Sequence, residues 1–243
     1  RVNFRLGIAN PKTQTYDIAF GCAGWLQAVI QAHEGIQSGL YNKVLVIGAE
    51  TLSRICDPHD RDSMIYSDGA GAIILEGQTS DKPIGIIAHE TRSYCHPNAF
   101  ILRMQESFNP DFAQEKMFLK MDGRKLYEQV LKMVPPMMKD CLERSGFHVE
   151  EIDKFLIHQA NQKMDEAILC KTNELYNLPT ESFDRLPMTI SHLGNSSVAT
   201  IPTLYHALIT QQLPNQEVHS GSKLLFVSVG AGINMNAVSY IMP

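Results

Sequence analysis

The same order of elements occurs twice along the chain, and this repetition limits the possible folds more than any other feature. In the first half, Tyr16–Phe20 leads to the turn Gly21–Gly24, a helix, the run KVLVIGAE and then AGAIILE. In the second half, LPMTISHL leads to the turn 194–197, a helix, the run KLLFVSVGAG and then NMNAVSYI. The repeat predicts two related halves, with Cys22 and Asn195 at equivalent turns near a pseudo-twofold axis. A chance match between two ordinary strand–helix–strand units is the alternative.

Apolar runs alternate with helical patterns along the chain, which predicts an α/β fold. The runs VLVI and LLFVSV are continuous enough to predict strands covered on both faces. Strands are predicted at Tyr16–Phe20, Lys43–Gly48, Ala70–Leu75, Lys154–Ile157, Lys223–Val229 and Ala237–Ile241. Helices are predicted at Gly24–Ser38 (ended by Gly39), Gly123–Glu143, Asn161–Leu175 and Ser197–Gln211. The pair Pro135-Pro136 is expected to kink or divide the second of these helices.

Composition excludes several classes of protein. The 243 residues carry a net charge of -5, which gives no electrostatic reason to expect nucleic acid or an anionic membrane as a partner. No apolar run approaches the ~20 residues that a membrane span needs. Five cysteines without a C-x-x-C pair argue against a disulfide framework or a zinc site, and they favour a reducing cytoplasm. These cysteines are Cys22, Cys56, Cys95, Cys141 and Cys170.

Three polar residues stand at the ends of predicted strands. Cys22 lies between small residues at a helix start, where the helix dipole is expected to lower the thiol pKa and so favour a nucleophile. A buried cysteine that packs as a small apolar group is the alternative. His158 and Asn195 each follow a strand, where sites gather in α/β sheets. A hydrogen-bonded structural histidine and a plain asparagine N-cap are the alternatives.

Two glycine-rich turns differ in what they can bind. Gly230-Ala231-Gly232 follows a strand, so it can offer a backbone N–H to an oxyanion or can serve only as a tight turn. The segment Ser67–Ala72 lacks both the G-x-G-x-x-G spacing and a P-loop lysine, and it therefore does not predict a phosphate site.

Four segments match one known family in order and spacing: DIAFGCAGWLQAV, DGAGA, IHQAN, and HLGNSS with the terminal SVGAG turn. Across nearly the whole chain the sequence resembles type III 3-oxoacyl-acyl-carrier-protein synthases. The resemblance implies a thiolase-like fold of two related halves, with mixed sheets and helices in layers and an incomplete first half. It implies Cys22 as the acyl-accepting nucleophile and His158 with Asn195 as the decarboxylation pair. The backbone N–H groups of Cys22 and Ala231 would form the oxyanion hole, although many relatives have glycine where Ala231 stands.

The resemblance also implies the reaction and its partners. An acyl-CoA starter is condensed with malonyl-acyl carrier protein, with coenzyme A thioesters as substrates and no metal or other cofactor. Lys163 matches a position that is basic in the family and is proposed there to meet the acidic carrier, although an ordinary solvated lysine is the alternative and Asp165 and Glu166 weaken the patch. A homodimer in the cytoplasm, at the start of fatty acid synthesis, is expected.

The two halves are expected at 1–116, with the nucleophile, and at 117–243, with His158 and Asn195. Because Arg1 is not Met and the first residues read as the tail of a helix, the N-terminal part of the family fold is expected to be absent. The segment 1–243 alone is then expected to be a poor enzyme. Thr91–Lys116 matches the family poorly near the substrate entrance, so an acyl preference different from that of the housekeeping enzyme is expected.

Several rival functions remain to be weighed. A papain-like hydrolase would need C-G-S-C-W, and a thiolase would need a second cysteine at 229–234, where none stands. Type I and II condensing enzymes use histidine at the position of Asn195, and H-Q-A-N fits type III better than a plant-type polyketide synthase. A non-catalytic partner subunit usually lacks the nucleophile, whereas Cys22 is present. A specialised relative that makes a polyketide or an acyl-resorcinol in secondary metabolism stays open.

Overall fold

The computed structural model describes residues 1–113, 115–179 and 182–243. In these ranges the strands are β1 (Lys43–Thr51), β2 (Asp68–Glu76), β3 (Gly85–Ser93), β4 (Leu102–Gln105), β5 (Phe118–Met121), β6 (Lys154–Ile157), β7 (Lys223–Gly230) and β8 (Asn234–Ile241). The helices are α1 (Val2–Arg5), α2 (Gly24–Gln37), α3 (Cys95–Asn98), α4 (Gly123–Ser145), α5 (Gln162–Glu174), α6 (Ile190–Leu193) and α7 (Thr200–Ile209). Short 3-10 turns connect several of them.

The elements form layers around a mixed sheet, as expected for the α/β class. This sheet has the order β3-β8-β7-β6, with β6 parallel to β7 and the other pairs antiparallel. Helices α4 and α5 pack together on one side of it, and their core includes Leu225 and Val227 of β7. Helices α2 and α7 cover the other side, where Leu224 and Phe226 point. The antiparallel pair β1-β2 packs on the far side of α2 and α7.

The predicted repeat has a structural counterpart. In each half a helix is followed by a strand and then by an antiparallel neighbour of that strand, as α2-β1-β2 and as α7-β7-β8. Helices α2 and α7 touch each other between the two sheets. The division of the chain at 116 stays a prediction, and β3, from the first segment, pairs with β8 of the second.

The prediction of a strand at Tyr16–Phe20 is wrong. The segment has no regular secondary structure, and Tyr16 is 63% exposed. An apolar run becomes a strand only where a neighbouring strand takes up its backbone hydrogen bonds, and no strand of the described ranges lies beside this one. The apolar pattern of the segment was therefore an unreliable guide to its conformation.

The two apolar strands of the repeat differ in how they are covered. Leu224–Val229 of β7 is buried at every position, as predicted. The prediction for VLVI in β1 is wrong, because Leu45 and Ile47 are 38% and 43% exposed. Only one face of the pair β1-β2 meets a helix layer among the described residues, and Ile74 on β2 is exposed as well.

Helix α4 passes through Pro135-Pro136 without a break, so the predicted division is wrong, whereas the predicted kink stays a prediction. Two prolines remove two N–H donors and leave the carbonyls of Leu131 and Lys132 without their helical partners. The helix remains intact because its apolar face packs against β3, β8 and α5, and Val134, Pro135, Met137 and Met138 are buried in that contact.

A buried ion pair ties the segment after β4 to the loop before β2. Lys120 of β5 and Asp57 are 2% and 1% exposed and form an ion pair. The Asp57 carboxylate also accepts hydrogen bonds from Ser107 Oγ (2.9 Å) and from the Phe108 N–H (2.8 Å). The ammonium lies 3.5 Å from the centre of the Phe108 ring. A buried charge needs such partners, so these contacts fix the position of the segment that encloses the cavity described below.

None of the helices in the described ranges has the length and apolar character needed to cross a lipid bilayer.

Candidate active site

Cys22 lies in a turn immediately before α2, two residues ahead of the first helical residue, Gly24. The predicted helix start is thus confirmed, whereas the predicted strand before the turn is absent. The side chain is partly buried, and its Sγ accepts a hydrogen bond from Ser197 Oγ at 3.4 Å. The nucleophile candidate is therefore in contact with the second half of the chain.

His158 follows β6 at the carboxyl end of the parallel pair β6-β7. Its backbone N–H continues the ladder by donating to the Val227 carbonyl at 2.9 Å, and its side chain is 2% exposed. The imidazole Nδ1 lies 2.5 Å from Thr200 Oγ1, which is also 3.1 Å from the Ser197 carbonyl. The Thr200 hydroxyl has one hydrogen for these two acceptors, so its orientation decides which ring nitrogen carries the proton.

Asn195 is held in place by its backbone and by one end of its amide. Its N–H donates to the Ile65 carbonyl at 2.7 Å, and its own carbonyl accepts from the Ser67 N–H at 3.0 Å. The side-chain Oδ1 accepts from the Ser197 N–H at 2.9 Å, two residues further along the chain. This bond takes the acceptor end of the amide and leaves the donor end, Nδ2, for the cavity that Asn195 lines.

The glycine-rich turn after β7 packs directly against the turn of Cys22. A Cβ added to Gly230 would meet the backbone nitrogens of Cys22 and Ala23 at 3.0 and 3.1 Å, which is tight enough that the backbone of the Cys22 turn would have to shift. Ala231 is exposed and lies beside Gly21, whose added Cβ would be 3.6 Å from the Ala231 nitrogen. The structure thus brings the backbone of both predicted oxyanion donors, Cys22 and Ala231, to one junction.

One cavity of about 50 Å³ is lined by all three predicted side chains, Cys22, His158 and Asn195. Ser197, Tyr66 and Gly230 also line it. The rest of its wall is mainly apolar, with Leu52, Leu102, Leu119, Met121, Leu126 and Val229. The chemistry-bearing groups therefore face a small, largely apolar space, and Leu102 comes from the divergent segment Thr91–Lys116, of which Gln114 lies outside the described residues.

The electrostatics of Cys22 differ from the expectation. Burial raises the pKa of the Cys22 thiol above its ordinary value, with a smaller contribution of the same sign from Glu50. The Ser197 hydroxyl and the backbone N–H of Cys22 itself act in the opposite direction. The predicted lowering of this pKa is therefore wrong, because removal of the sulfur from water outweighs the donors that favour its charged form.

Burial lowers the pKa of His158 to about 4, so the imidazole is neutral at physiological pH. A neutral ring has one donor and one acceptor nitrogen. When the Thr200 hydroxyl donates to Nδ1, the ring proton is on Nε2, which then serves as a hydrogen-bond donor.

Sequence reasoning missed several residues that hold the site. Gln159 donates from Nε2 to the Ile157 carbonyl, and its Oε1 accepts from the N–H groups of Thr189 and Ile190. It thereby joins the end of β6 to the loop that leads to Asn195. The motif IHQAN contained the signal for Gln159, whereas Ser197 and Thr200 lie inside a predicted helix and had no distinguishing pattern.

Lys163 lies exposed at the start of α5, which Asn161 caps by accepting from the Met164 N–H at 3.3 Å. Asp165 is buried, and burial together with Glu166 raises its pKa far above the ordinary range. The Asp165 carboxyl therefore does not oppose Lys163 at the surface. Glu166 accepts a hydrogen bond from Gln162 at 2.8 Å.

Other features of the described chain lie apart from this cavity. An open depression of about 700 Å³, lined by His59, Asp60, Arg61, Asp62, Met64, Ile65 and Phe108, contains none of the predicted site residues. Within residues 1–113, 115–179 and 182–243, no group of three or more histidine, cysteine or carboxylate side chains is arranged to hold a metal ion. All five cysteines are free thiols.

Comparisons with known proteins agree with one another. Residues 16–94 match the family described as 3-oxoacyl-[acyl-carrier-protein (ACP)] synthase III, and residues 142–241 match its C-terminal part. Beta-ketoacyl-[acyl-carrier-protein] synthase III of Streptococcus gordonii is 32% identical over 228 residues, which cover 93% of this chain and 67% of that protein. The protein of the same name from Neisseria gonorrhoeae is 33% identical, covering 98% and 69%. The crystal structure of a beta-ketoacyl-[acyl carrier protein] synthase III from Thermus thermophilus superposes with a TM-score of 0.81 at 28% identity, covering 100% of this chain and 71% of that one.

The lowered pKa of His158 predicts a pH-dependent stability. The folded chain disfavours protonation down to about pH 4, whereas an unfolded histidine takes up its proton near pH 6.5. The neutral His158 therefore does not reduce the free energy of unfolding above pH 6.5. This free energy decreases as the pH falls from 6.5 towards 4, because only the unfolded chain then takes up the proton. Between about pH 7 and about pH 4.5, we expect the parent to lose roughly 2–3 kcal/mol more of its free energy of unfolding than His158→Gln.

Urea unfolding at both pH values measures this difference. His219→Gln, at an exposed loop position, is the control and should behave as the parent does. Equal losses in the parent and in His158→Gln would contradict the burial of a neutral imidazole.

Proposed function

Because the chain belongs to the 3-oxoacyl-[acyl-carrier-protein] synthase III family, we propose that its cavity condenses an acyl-CoA starter with malonyl-acyl carrier protein. The product is a 3-oxoacyl-carrier protein, which begins fatty acid synthesis. The observation that carries the proposal is the convergence of Cys22, His158 and Asn195 on one small, largely apolar cavity. A secondary-metabolism enzyme remains the alternative, but the relatives reported above bear the name of the fatty acid enzyme.

In the first half-reaction Cys22 accepts the acyl group. Its sulfur forms a bond to the thioester carbonyl carbon, the bond from that carbon to the coenzyme A sulfur breaks, and the thiol proton ends on the released coenzyme A. The backbone N–H groups of Cys22 and Ala231 are proposed to hold the negative oxygen of the tetrahedral intermediate. Their proximity at the Gly230 junction supports this assignment.

In the second half-reaction the malonyl thioester loses CO2. The electron pair of the broken bond passes into an enolate, whose charge develops on the thioester oxygen. His158 Nε2–H and Asn195 Nδ2–H are proposed to donate hydrogen bonds to that oxygen. The hydrogen bond that occupies Asn195 Oδ1 supports the amide orientation. The Nε2–H form of His158 requires the Thr200 hydroxyl to donate to Nδ1 and not to the Ser197 carbonyl. The enolate carbon then attacks acyl-Cys22, and the Cys22 sulfur leaves and regains a proton.

The cavity also bears on the substrates. Its volume of about 50 Å³ is enclosed mainly by apolar side chains, which suits an uncharged acyl group. Thioester exchange and decarboxylation consume no external oxidant or reductant, and the release of CO2 drives the condensation, so the proposal includes no metal or redox cofactor. We further propose a homodimer, supported by the exposed apolar side chains of Leu45, Ile47 and Ile74. A reducing cytoplasm is supported by the five free thiols.

Acylation of Cys22 tests the function. After incubation with a short acyl-CoA, intact-mass analysis is expected to show one acyl adduct, which is absent in Cys22→Ser because a hydroxyl in this setting is a far weaker nucleophile. Cys95→Ser removes an exposed thiol outside the cavity and should keep the adduct. An adduct that persists in Cys22→Ser would refute the assignment.

The division of roles predicts unequal effects on the two half-reactions. His158→Ala and Asn195→Ala should slow malonyl decarboxylation by about a hundredfold or more, since each removes a donor to the enolate. Acyl transfer to Cys22 should survive better, because neither side chain accepts the acyl group. Rates of CO2 release and of adduct formation measure the two steps. An equal loss of both steps in both folded variants would show that the roles are wrongly divided.

Lys163 is proposed to meet the acidic carrier protein, since it is an exposed point charge at the helix that starts beside His158. Lys163→Glu should slow turnover with malonyl-carrier protein, more so at low salt, and should leave loading from acyl-CoA unchanged. Lys171→Glu is the matched control, because Lys171 is an exposed lysine later in α5 that pairs with Glu174. If both reversals gave the same rate at low salt, the proposed contact would be dismissed.

A further inference from the structure

Ser197 is connected to all three of the predicted catalytic side chains. Its hydroxyl donates to Cys22 Sγ at 3.4 Å, and its N–H donates to Asn195 Oδ1 at 2.9 Å. Its carbonyl lies 3.1 Å from Thr200 Oγ1, which is 2.5 Å from His158 Nδ1. Two of the three contacts of this buried residue come from its backbone, and its carbonyl competes with His158 Nδ1 for the single hydrogen of the Thr200 hydroxyl.

The backbone of Ser197 adopts a conformation that residues with a side chain rarely take. Its φ is +53°, in the left-handed region that glycine enters without strain. Glycine would preserve both backbone contacts with less strain, but it has no hydroxyl to reach Cys22. The strained serine therefore indicates that the hydroxyl itself matters at this position.

The contact with Cys22 has a chemical consequence. Burial disfavours the thiolate and raises the pKa of Cys22, and the Ser197 hydroxyl is the largest influence in the opposite direction. A hydroxyl can donate to the sulfur anion, and a hydrogen bond to a charged group is stronger than one to a neutral group. The hydroxyl thus favours the form of Cys22 that attacks a carbonyl.

We propose that Ser197 is a positioning residue that stabilises the anionic form of Cys22 and holds Cys22, Asn195 and the Thr200–His158 pair in one arrangement. The proposal rests on the proposed function only in its assumption that Cys22 is the nucleophile. The hydrogen bond from the hydroxyl to sulfur exists without substrate, so it can be tested on the thiol alone.

The pH dependence of Cys22 alkylation by iodoacetamide provides the test. Mass spectrometry of the Cys22 peptide gives the rate at each pH in the parent, Ser197→Ala and Ser197→Gly. We expect the midpoint to move up by about one pH unit or more in both variants, since both lose the hydroxyl. Ser197→Gly also suits the left-handed backbone, so it remains informative if the alanine variant folds poorly.

Ser196→Ala is the matched control, because it removes the neighbouring buried hydroxyl, which makes none of the three contacts described for Ser197. Its midpoint should equal that of the parent. A parent-like midpoint in Ser197→Ala or in Ser197→Gly, or an equal shift in Ser196→Ala, overturns the proposal.

Acyl-CoA loading of the same samples separates this proposal from the proposed function. A parent that fails to acylate Cys22 contradicts the function, whereas the alkylation midpoints still report on Ser197. Slower loading in Ser197→Ala and Ser197→Gly than in Ser196→Ala is the expected result.

Discussion

The close approach of two backbones, at Gly230 and Cys22, is the constraint on which the site depends. Even one methyl group at residue 230 would lie 3.0 Å from the Cys22 nitrogen. This junction sets the end of β7 against the start of α2, and β7 in turn pairs with β6, which ends immediately before His158. The second half thus supplies most of the polar groups around a thiol from the first, and the distance between the halves at this point decides whether the groups meet.

Periodicity and motif order were sufficient to predict the parts of the fold that are buried on both sides. β6 and β7 match their predicted ranges almost residue for residue, because continuous apolar runs occur where a strand has neighbours on every side. The same reasoning failed for Tyr16–Phe20, whose apolar pattern is compatible both with a strand and with an irregular segment. It also missed β3, β4 and β5, which carry polar residues such as His89 and Lys120. The partners of these residues are remote in sequence, so no local pattern identifies them.

In the candidate site, too, some residues could be identified from a sequence pattern and others could not. Cys22 and Asn195 were identifiable because they lie in equivalent turns of the repeat, and His158 because it follows a predicted strand; the cavity does bring the three together. The residues that orient these three side chains could not be identified from the sequence, because their roles arise from backbone φ angles and from contacts between residues more than a hundred positions apart. The contact from Ser197 to Cys22 spans 175 positions and exists only when the chain is folded. Burial likewise reversed the expected direction of the Cys22 pKa.

The pairing of β3 with β8 has a consequence for how the chain is made. Ala88 and Ser239 meet although they are 151 positions apart, so β3 lacks its partner until β8 has left the ribosome. Contacts between such distant segments slow folding, because a long loop must close before they form. During that interval β3 exposes an unpaired edge, the kind of surface on which chains aggregate. We therefore expect the yield of folded protein to depend on how well chaperones protect β3 during this interval, as well as on the stability of the finished fold.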